Sequence, residues 1–337
     1  MTGTPYLFEL SGEHPTLPEA EAISCLSSEC NAFEIVRKGP GYLVSSFSDR
    51  RLDDVGNRLA LSHRIGRYLG SCTLDRLAQF AESLALPEGA VSVRAKQFHR
   101  SYPDVDSSEV ASKVGAILAK RSKIDLESPE VEVRILMSDT FQFFICDRRI
   151  DRKQFDERKV ALRPFFSPIS LHPRFARALV NLSRVRKGGR LLDPFCGTGG
   201  ITIEAALIGA KVIGSDISQE MVDGCKENMA HFRATWEAMK RVDIGSISEV
   251  FGKVDAIVTD PPYGRSATTN KEPPLDLHER ALNSMADALK EGGNLAVVFP
   301  ELCLKGRQDL ELRETHTQRI HRSLTRHYCI FTKRLVF

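Results

Sequence analysis

The chain has 337 residues, 42% of them hydrophobic and 27% charged, with a net charge of +3; this is globular make-up, and enough chain for two or three cores. No apolar run approaches the roughly 18 residues of a membrane span, and the opening MTGTPYLFELSGEHP lacks the basic-then-apolar order of a secretory leader. Eight cysteines lie scattered, without a C-x-x-C pair or a Cys/His cluster of zinc spacing; reduced thiols in a cytoplasmic protein that holds no metal are expected.

In the first half, PYLFEL (5–10) and FEIVRKGPGYLVSSF (33–47) predict antiparallel strands, the second pair turning at Gly-Pro-Gly. The acidic helix TLPEAEAISCLSS lies between them. VSVRAKQF predicts a further strand, SSEVASKVGAILAKRSK a helix, and VEVRILMSDTFQFFICDRR two strands around a polar turn at Ser138–Thr140. This is an α+β region. The charged, proline-punctuated segment 151–168 reads as a linker.

From Arg190 the pattern changes to short apolar strands alternating with amphipathic helices. RLLD (190–193), KVIGSD (211–216), VDAIVTD (254–260) and NLAVVF (294–299) are strands; ITIEAALIGA, ISQEMVDGCKENMAHF and LDLHERALNSMADALKEGG are helices, the last closed by Gly292 and Gly293. The tail RHYCIFTKRLVF predicts a last strand in a hairpin. The alternation implies an α/β fold, a doubly wound, mostly parallel sheet covered on both faces.

Charge is uneven along the chain. Between 145 and 190 there are thirteen Lys/Arg against four acids, and from Arg313 onward six against Glu314 alone. Charge runs are usually solvated faces, but two of them flanking one domain suit a polyanion.

Two motifs carry chemistry. In LLDPFCGTGG an acid ends a strand before a glycine loop that opens a helix. The dinucleotide fingerprint G-x-G-x-x-G is broken, because its third position is Thr202. Asp193 would repel a pyrophosphate and suits an amino-acid ammonium instead. Asp216, closing the next strand, suits two ribose hydroxyls, and Asp243 after a weaker third segment suits an adenine amine. For Asp243 a simple capping role is an equal alternative. Ammonium, ribose and adenine together describe S-adenosyl-L-methionine. The second motif, Asp260-Pro261-Pro262-Tyr263, holds a carboxylate, free carbonyls and a ring in a stiff turn, since neither proline has an N–H.

DPFCGTGGITIEAALIGA, GSDIS and DPPYG in this order resemble class I methyltransferases acting on exocyclic base amines. With PISLHPRFARALVNLSR and HRSLTR, the chain is similar to the archaeal and eukaryotic tRNA guanosine-10 N2-methyltransferases. The likeness spans nearly the whole chain, strongest over 163–264. SVRAKQF and KIDLESPEVEVRI resemble a THUMP RNA-binding domain. The organisation implied is a ferredoxin-like domain at 1–65, THUMP at 66–150, the linker at 151–168 and a Rossmann-like methyltransferase domain at 169–337. The segment SATTNKEPP departs from typical members.

The resemblance implies S-adenosylmethionine held by Asp193, Phe195, Cys196, Gly197, Thr198, Gly199, Asp216, Ile217, Asp243 and Asp260. It implies catalysis by Asp260, Pro261, Pro262 and Tyr263: acceptors that draw the guanine amine toward pyramidal geometry, and a ring on which the extruded base stacks. Cys196 sits in the cofactor loop and reads as packing rather than as a nucleophile. Arg163, Arg174, Arg177, Arg322 and Arg326 are the expected phosphate ligands. The partner is tRNA, the product N2-methylguanosine or its dimethyl form, and a small activating subunit, used by eukaryotic relatives, stays open. The alternatives are an rRNA guanine N2-methyltransferase with a THUMP domain, or an idle RNA-binding protein, which would have lost Asp193 or Asp260.

Overall fold

The computed structural model describes residues 3–167, 170–262, 273–301, 307–322 and 324–335. The chain divides into two compact units. The first comprises Met1–Ala22, Cys30–Asn57 and Leu61–Asp151; the second comprises Ile23–Glu29, Arg58–Ala60 and Arg152–Phe337.

As far as residue 149 the chain runs β1 (Thr4–Leu10), α1 (Leu17–Glu29, whose part from Ile23 belongs to the second unit), β2 (Glu34–Gly39), β3 (Tyr42–Phe47), α2 (Leu52–Arg58), β4 (Ser62–Cys72), α3 (Leu77–Ser83), β5 (Val91–Gln97), α4 (Ser107–Leu118), β6 (Val131–Met137) and β7 (Phe141–Arg149). The seven strands of the first unit form one sheet in the order β2-β3-β1-β4-β7-β6-β5. Only β5 and β6 pair in parallel, through the crossover helix α4. Val91, Val93, Val133, Ile135, Phe141 and Phe143 build the core beneath α3 and α4. The hairpin expected around Gly39–Gly41 forms, with Gly41 at φ 77° in the left-handed turn. The long strand β4 crosses the position at which a domain boundary was expected, its first half pairing with β1 and most of its length with β7.

The second unit continues with α5 (Pro173–Leu182), β8 (Arg190–Asp193), α6 (Gly200–Leu207), β9 (Lys211–Asp216), α7 (Gln219–His231), β10 (Ala238–Arg241), α8 (Ile247–Phe251), β11 (Val254–Thr259), α9 (Pro274–Ala288), β12 (Leu289–Phe299), β13 (Leu310–His321) and β14 (Leu324–Lys333). Its sheet order is β10-β9-β8-β11-β12-β14-β13. The first five strands run parallel, and β14 lies antiparallel between β12 and β13. Strand order reverses at β8, and in doubly wound sheets ligands bind outside the carboxyl ends of the strands at such a switch point. Ile213, Ile257, Leu295, Val297 and Phe299 from the sheet pack with Leu282 and Met285 of α9.

Two expectations change here. Gly292 and Gly293 do not close α9, which stops at Ala288; Leu289 already pairs with Val254, and the glycines occupy a bulge before pairing resumes at Asn294. Segment 151–168 is no free linker. Its Lys153–Arg158 and Val160–Leu162 turns form a strap on the second unit, with Phe155 and Arg158 buried and Arg158 bonded to Glu204 of α6.

Candidate active site

Each acid of the crevice is delivered by a strand end. Asp193 closes β8 and is 1% exposed. Its Oδ1 accepts the Thr259 hydroxyl at 2.7 Å and the Phe195 N–H at 3.2 Å. Burial pushes the Asp193 carboxyl up to about 7, against those two hydrogen bonds; the charges of Asp216 and Asp260 add to the rise. Asp216 closes β9 and accepts from Gly197 N–H at 3.1 Å and Ser218 N–H at 3.0 Å. Its carboxyl too is raised, chiefly by burial. Asp260 follows β11 directly, with Pro261 buried behind it. Three carboxyl groups thus lie near enough to act on one another, Asp216 and Asp260 both raising the carboxyl of Asp193.

The glycine loop is fixed from both sides. Cys196 N–H bonds to the Ser215 carbonyl at 2.9 Å, and Gly199 N–H to the Cys196 carbonyl at 2.8 Å. Gly199 sits at φ 86°, and a Cβ there would lie 2.9 Å from Cys225 Sγ. Gly197, at φ 47°, is different: a Cβ would meet nothing within 4 Å. Open space beside Gly197 is what a loop that admits a ligand requires. The Cys196 side chain is buried and packs by Gly214, so it offers the site backbone rather than a thiol. Phe195 packs on the core, and the Ile217 carbonyl accepts from Arg241 at 2.9 Å.

Asp243 does cap the next turn, accepting from Gly245 N–H at 2.8 Å. The same oxygen takes an ion pair from Arg280 at 2.6 Å, leaving Oδ2 outside these contacts. Burial raises its carboxyl, but the Gly245 bond and the Arg280 guanidinium outweigh it and hold the group below the usual range.

The expected phosphate ligands divide. Arg163 and Arg177 are 5% and 3% exposed, turned into the interior. Arg163 donates to the Thr198 hydroxyl at 3.1 Å, and Arg177 pairs with Glu204 at 2.8 Å. Burial of Glu204 in α6 demands a counter-charge such as Arg177, and Arg163 is turned inward on Thr198 and the Arg158 carbonyl, so neither arginine is presented to a phosphate. Arg174 is partly exposed on the first turn of α5. Arg322 is exposed and Arg326 partly so, near the tip of the β13–β14 hairpin. That hairpin pairs on to His321 and Leu324, past the last β12 pair at Phe299 and His327. Its tip therefore projects about 10 Å beyond the sheet, on the side where Asp193 and Asp260 end their strands.

Sequence reading missed Thr259, Asn228, Glu204, His278 and Arg280. Asn228 stitches the strap to the loop, bonding both Phe165 backbone groups and the Thr198 carbonyl, each at 2.9 Å. His278 reaches the Pro262 carbonyl at 3.2 Å. A lone polar residue in an apolar run was the available signal for Thr259 and Glu204. Tyr263 lies outside the described residues.

The parallel five-strand order with an antiparallel strand inserted beside the fifth, and acids at the ends of its first, second and fourth strands, defines the fold as that of a class I methyltransferase. The model of the RMKL-like methyltransferase-domain family matches residues 161–327. A tRNA (guanine(10)-N2)-dimethyltransferase of Methanothermobacter thermautotrophicus is 40% identical over 326 residues, covering 94% of this chain and 96% of that protein. One from Methanocaldococcus jannaschii is 30% identical, covering 97% of this chain and 99% of that one. The crystal structure of TrmN from Thermus thermophilus shares the fold, with a TM-score of 0.56 and 23% identity over 98% of this chain and 99% of its own. The chain belongs to the tRNA (guanine(10)-N2)-dimethyltransferase family.

Proposed function

We propose that this enzyme methylates the N2 amine of guanosine 10 in tRNA, twice in succession, using S-adenosyl-L-methionine. The observation that carries the reading is the hydrogen bond of Thr259 to Asp193, which fastens the cofactor-loop strand to the strand that delivers Asp-Pro-Pro. The site fits the cofactor on its own evidence: open space beside Gly197, and the buried Asp193 carboxyl, raised by burial, which an ammonium would suit.

Bound there, S-adenosylmethionine supplies an electrophilic methyl group on a cationic sulfur. Asp193 would face its ammonium, Asp216 its ribose hydroxyls and the Oδ2 of Asp243 its adenine amine. Asp260 and the Pro261 carbonyl accept the two N–H groups of the guanine amine. Those bonds draw the nitrogen out of conjugation and aim its lone pair along the transfer line. Tyr263 is the ring on which the extruded base stacks. Asp260 is also the nearest acceptor for the proton that the amine gives up.

The first unit is the RNA reader in this scheme, as its THUMP resemblance suggests, and the hairpin tip meets phosphates beside the target. The rRNA reading is not favoured, since the two relatives described above, which match nearly the whole chain, are named as tRNA enzymes. An idle protein is not favoured either, because no acid of the crevice is lost. Labelled S-adenosylmethionine offered with an unmodified tRNA transcript, beside one carrying adenosine at position 10, tests the reading. Mono- and dimethylguanosine from the first alone are expected. Equal labelling of both would overturn the target position.

A further inference from the structure

Between Asp260 and the helix after it, two prolines have φ set by their rings; Pro262 also confines ψ of Pro261 to extended values, but its own ψ stays free. The direction of a carbonyl reports that ψ. The Pro262 carbonyl is met by Nε2 of His278 at 3.2 Å, and since a carbonyl only accepts, Nε2 carries the hydrogen. The imidazole is 2% exposed and lies against the Phe299 ring, centroids 5.3 Å apart at 53°. Its neighbours in α9, Leu277 and Ala281, are anchored in the core. Two residues on, Arg280 of the same helix holds Asp243 at 2.6 Å. One helix is thus fastened both to the Asp-Pro-Pro turn and to an acid of the crevice. Burial lowers the His278 pKa, which keeps it neutral and able to serve as a fixed donor.

We propose that His278 is a positioning residue for methyl transfer: by holding the Pro262 carbonyl it fixes the turn from which Asp260 and Pro261 present their acceptors to the target amine. The inference rests on the methyl-transfer reading above. His278 touches neither substrate nor cofactor in this scheme; it acts through the backbone of Pro262. Sidechain volume alone does not suffice, because a group of equal size without an N–H leaves ψ of Pro262 unheld.

The test compares wild type with His278→Leu, His278→Gln and His278→Asn. Gln carries an amide N–H to about the reach of Nε2, whereas Asn falls short. Single-turnover transfer to the tRNA transcript is measured with both substrates saturating, beside cofactor and tRNA Kd and the melting temperature. His278→Leu is expected to slow transfer about 10- to 100-fold, the scale of a misplaced reacting group, with both Kd values within about two-fold. His278→Gln is expected to recover most of the rate, and His278→Asn to recover little. Transfer by His278→Leu at the wild-type rate, or equal rates for Gln and Asn, would overturn the inference alone. If His278→Leu does not fold, the Gln and Asn pair decides. A wild-type enzyme that labels no tRNA would remove the methyl-transfer reading and this inference with it.

Discussion

Thr259 gives its hydroxyl hydrogen to Asp193 across 2.7 Å, joining the ends of two paired strands. Both groups are buried, Thr259 fully and Asp193 to within 1%. The bond therefore fixes one carboxylate oxygen in place while holding the approach to Asp260, the next residue along. Thr259→Val keeps the shape and removes the donor. Cofactor affinity, read by calorimetry, is expected to fall about ten-fold, the scale of one hydrogen bond to a charged group.

The raised pKa of Asp193, about 7, has a definite sign. Between the ordinary carboxylate range and pH 7 the folded protein holds a proton that the unfolded chain has released. Stability from this group is full below pH 4 and is lost as pH rises through 7. A cationic cofactor needs the ionised form, so its affinity moves the other way and weakens as pH drops below 7. Calorimetry at pH 6 and pH 8 should show this, and Asp193→Asn should bind weakly at both with the slope gone.

Asp260→Ala removes an acceptor for the target amine without touching the Asp193–Thr259 bond. Methyl transfer is expected to fall by at least about 100-fold, the scale of one lost transition-state contact, while cofactor Kd changes little. Loss of cofactor affinity instead would move Asp260 to the cofactor's side of the crevice.

Arg319 and Arg322 are both exposed near the hairpin tip. Replacing the two with alanine should weaken tRNA binding and lower the slope of log K against log salt by about one to two. Filter binding across a salt series gives that slope. An unchanged slope would place the phosphate contacts elsewhere.

Glu204 is 1% exposed and accepts from Arg158 at 2.7 Å and from Arg177 at 2.8 Å. Glu204→Gln leaves two buried guanidinium groups without their counter-charge. Urea unfolding should report a loss of about 3–5 kcal/mol. A much smaller loss would mean that the strap opens and lets the arginines reach water.

Much of the second unit was legible because its signals are local. Short apolar runs ending in Asp193 and Asp216 are strands whatever surrounds them, and the glycine loop sits where strand meets helix. Strand β4 was not legible: Gly66 and Gly70 interrupt the alternation, and its ladders slip at both places. Partnership decides it, not pattern. Arg163 and Arg177 look like any surface arginine in a basic run, and only Glu204 and Thr198, far along the chain, draw them inside. His278 and Arg280 escaped for the same reason, since each acts on a residue that only the folded sheet brings near.

The strand made last among the described elements is not an edge. β14 lies between β12 and β13, and its Cys329 and Phe331 are part of the core beneath the crevice. A ribosome that has reached Phe299 has already made Asp193, Asp216 and Asp260, yet the sheet carrying them lacks an interior member until Leu324–Lys333 emerges. The sheet that carries the three acids is therefore completed only when β14 takes its place between β12 and β13.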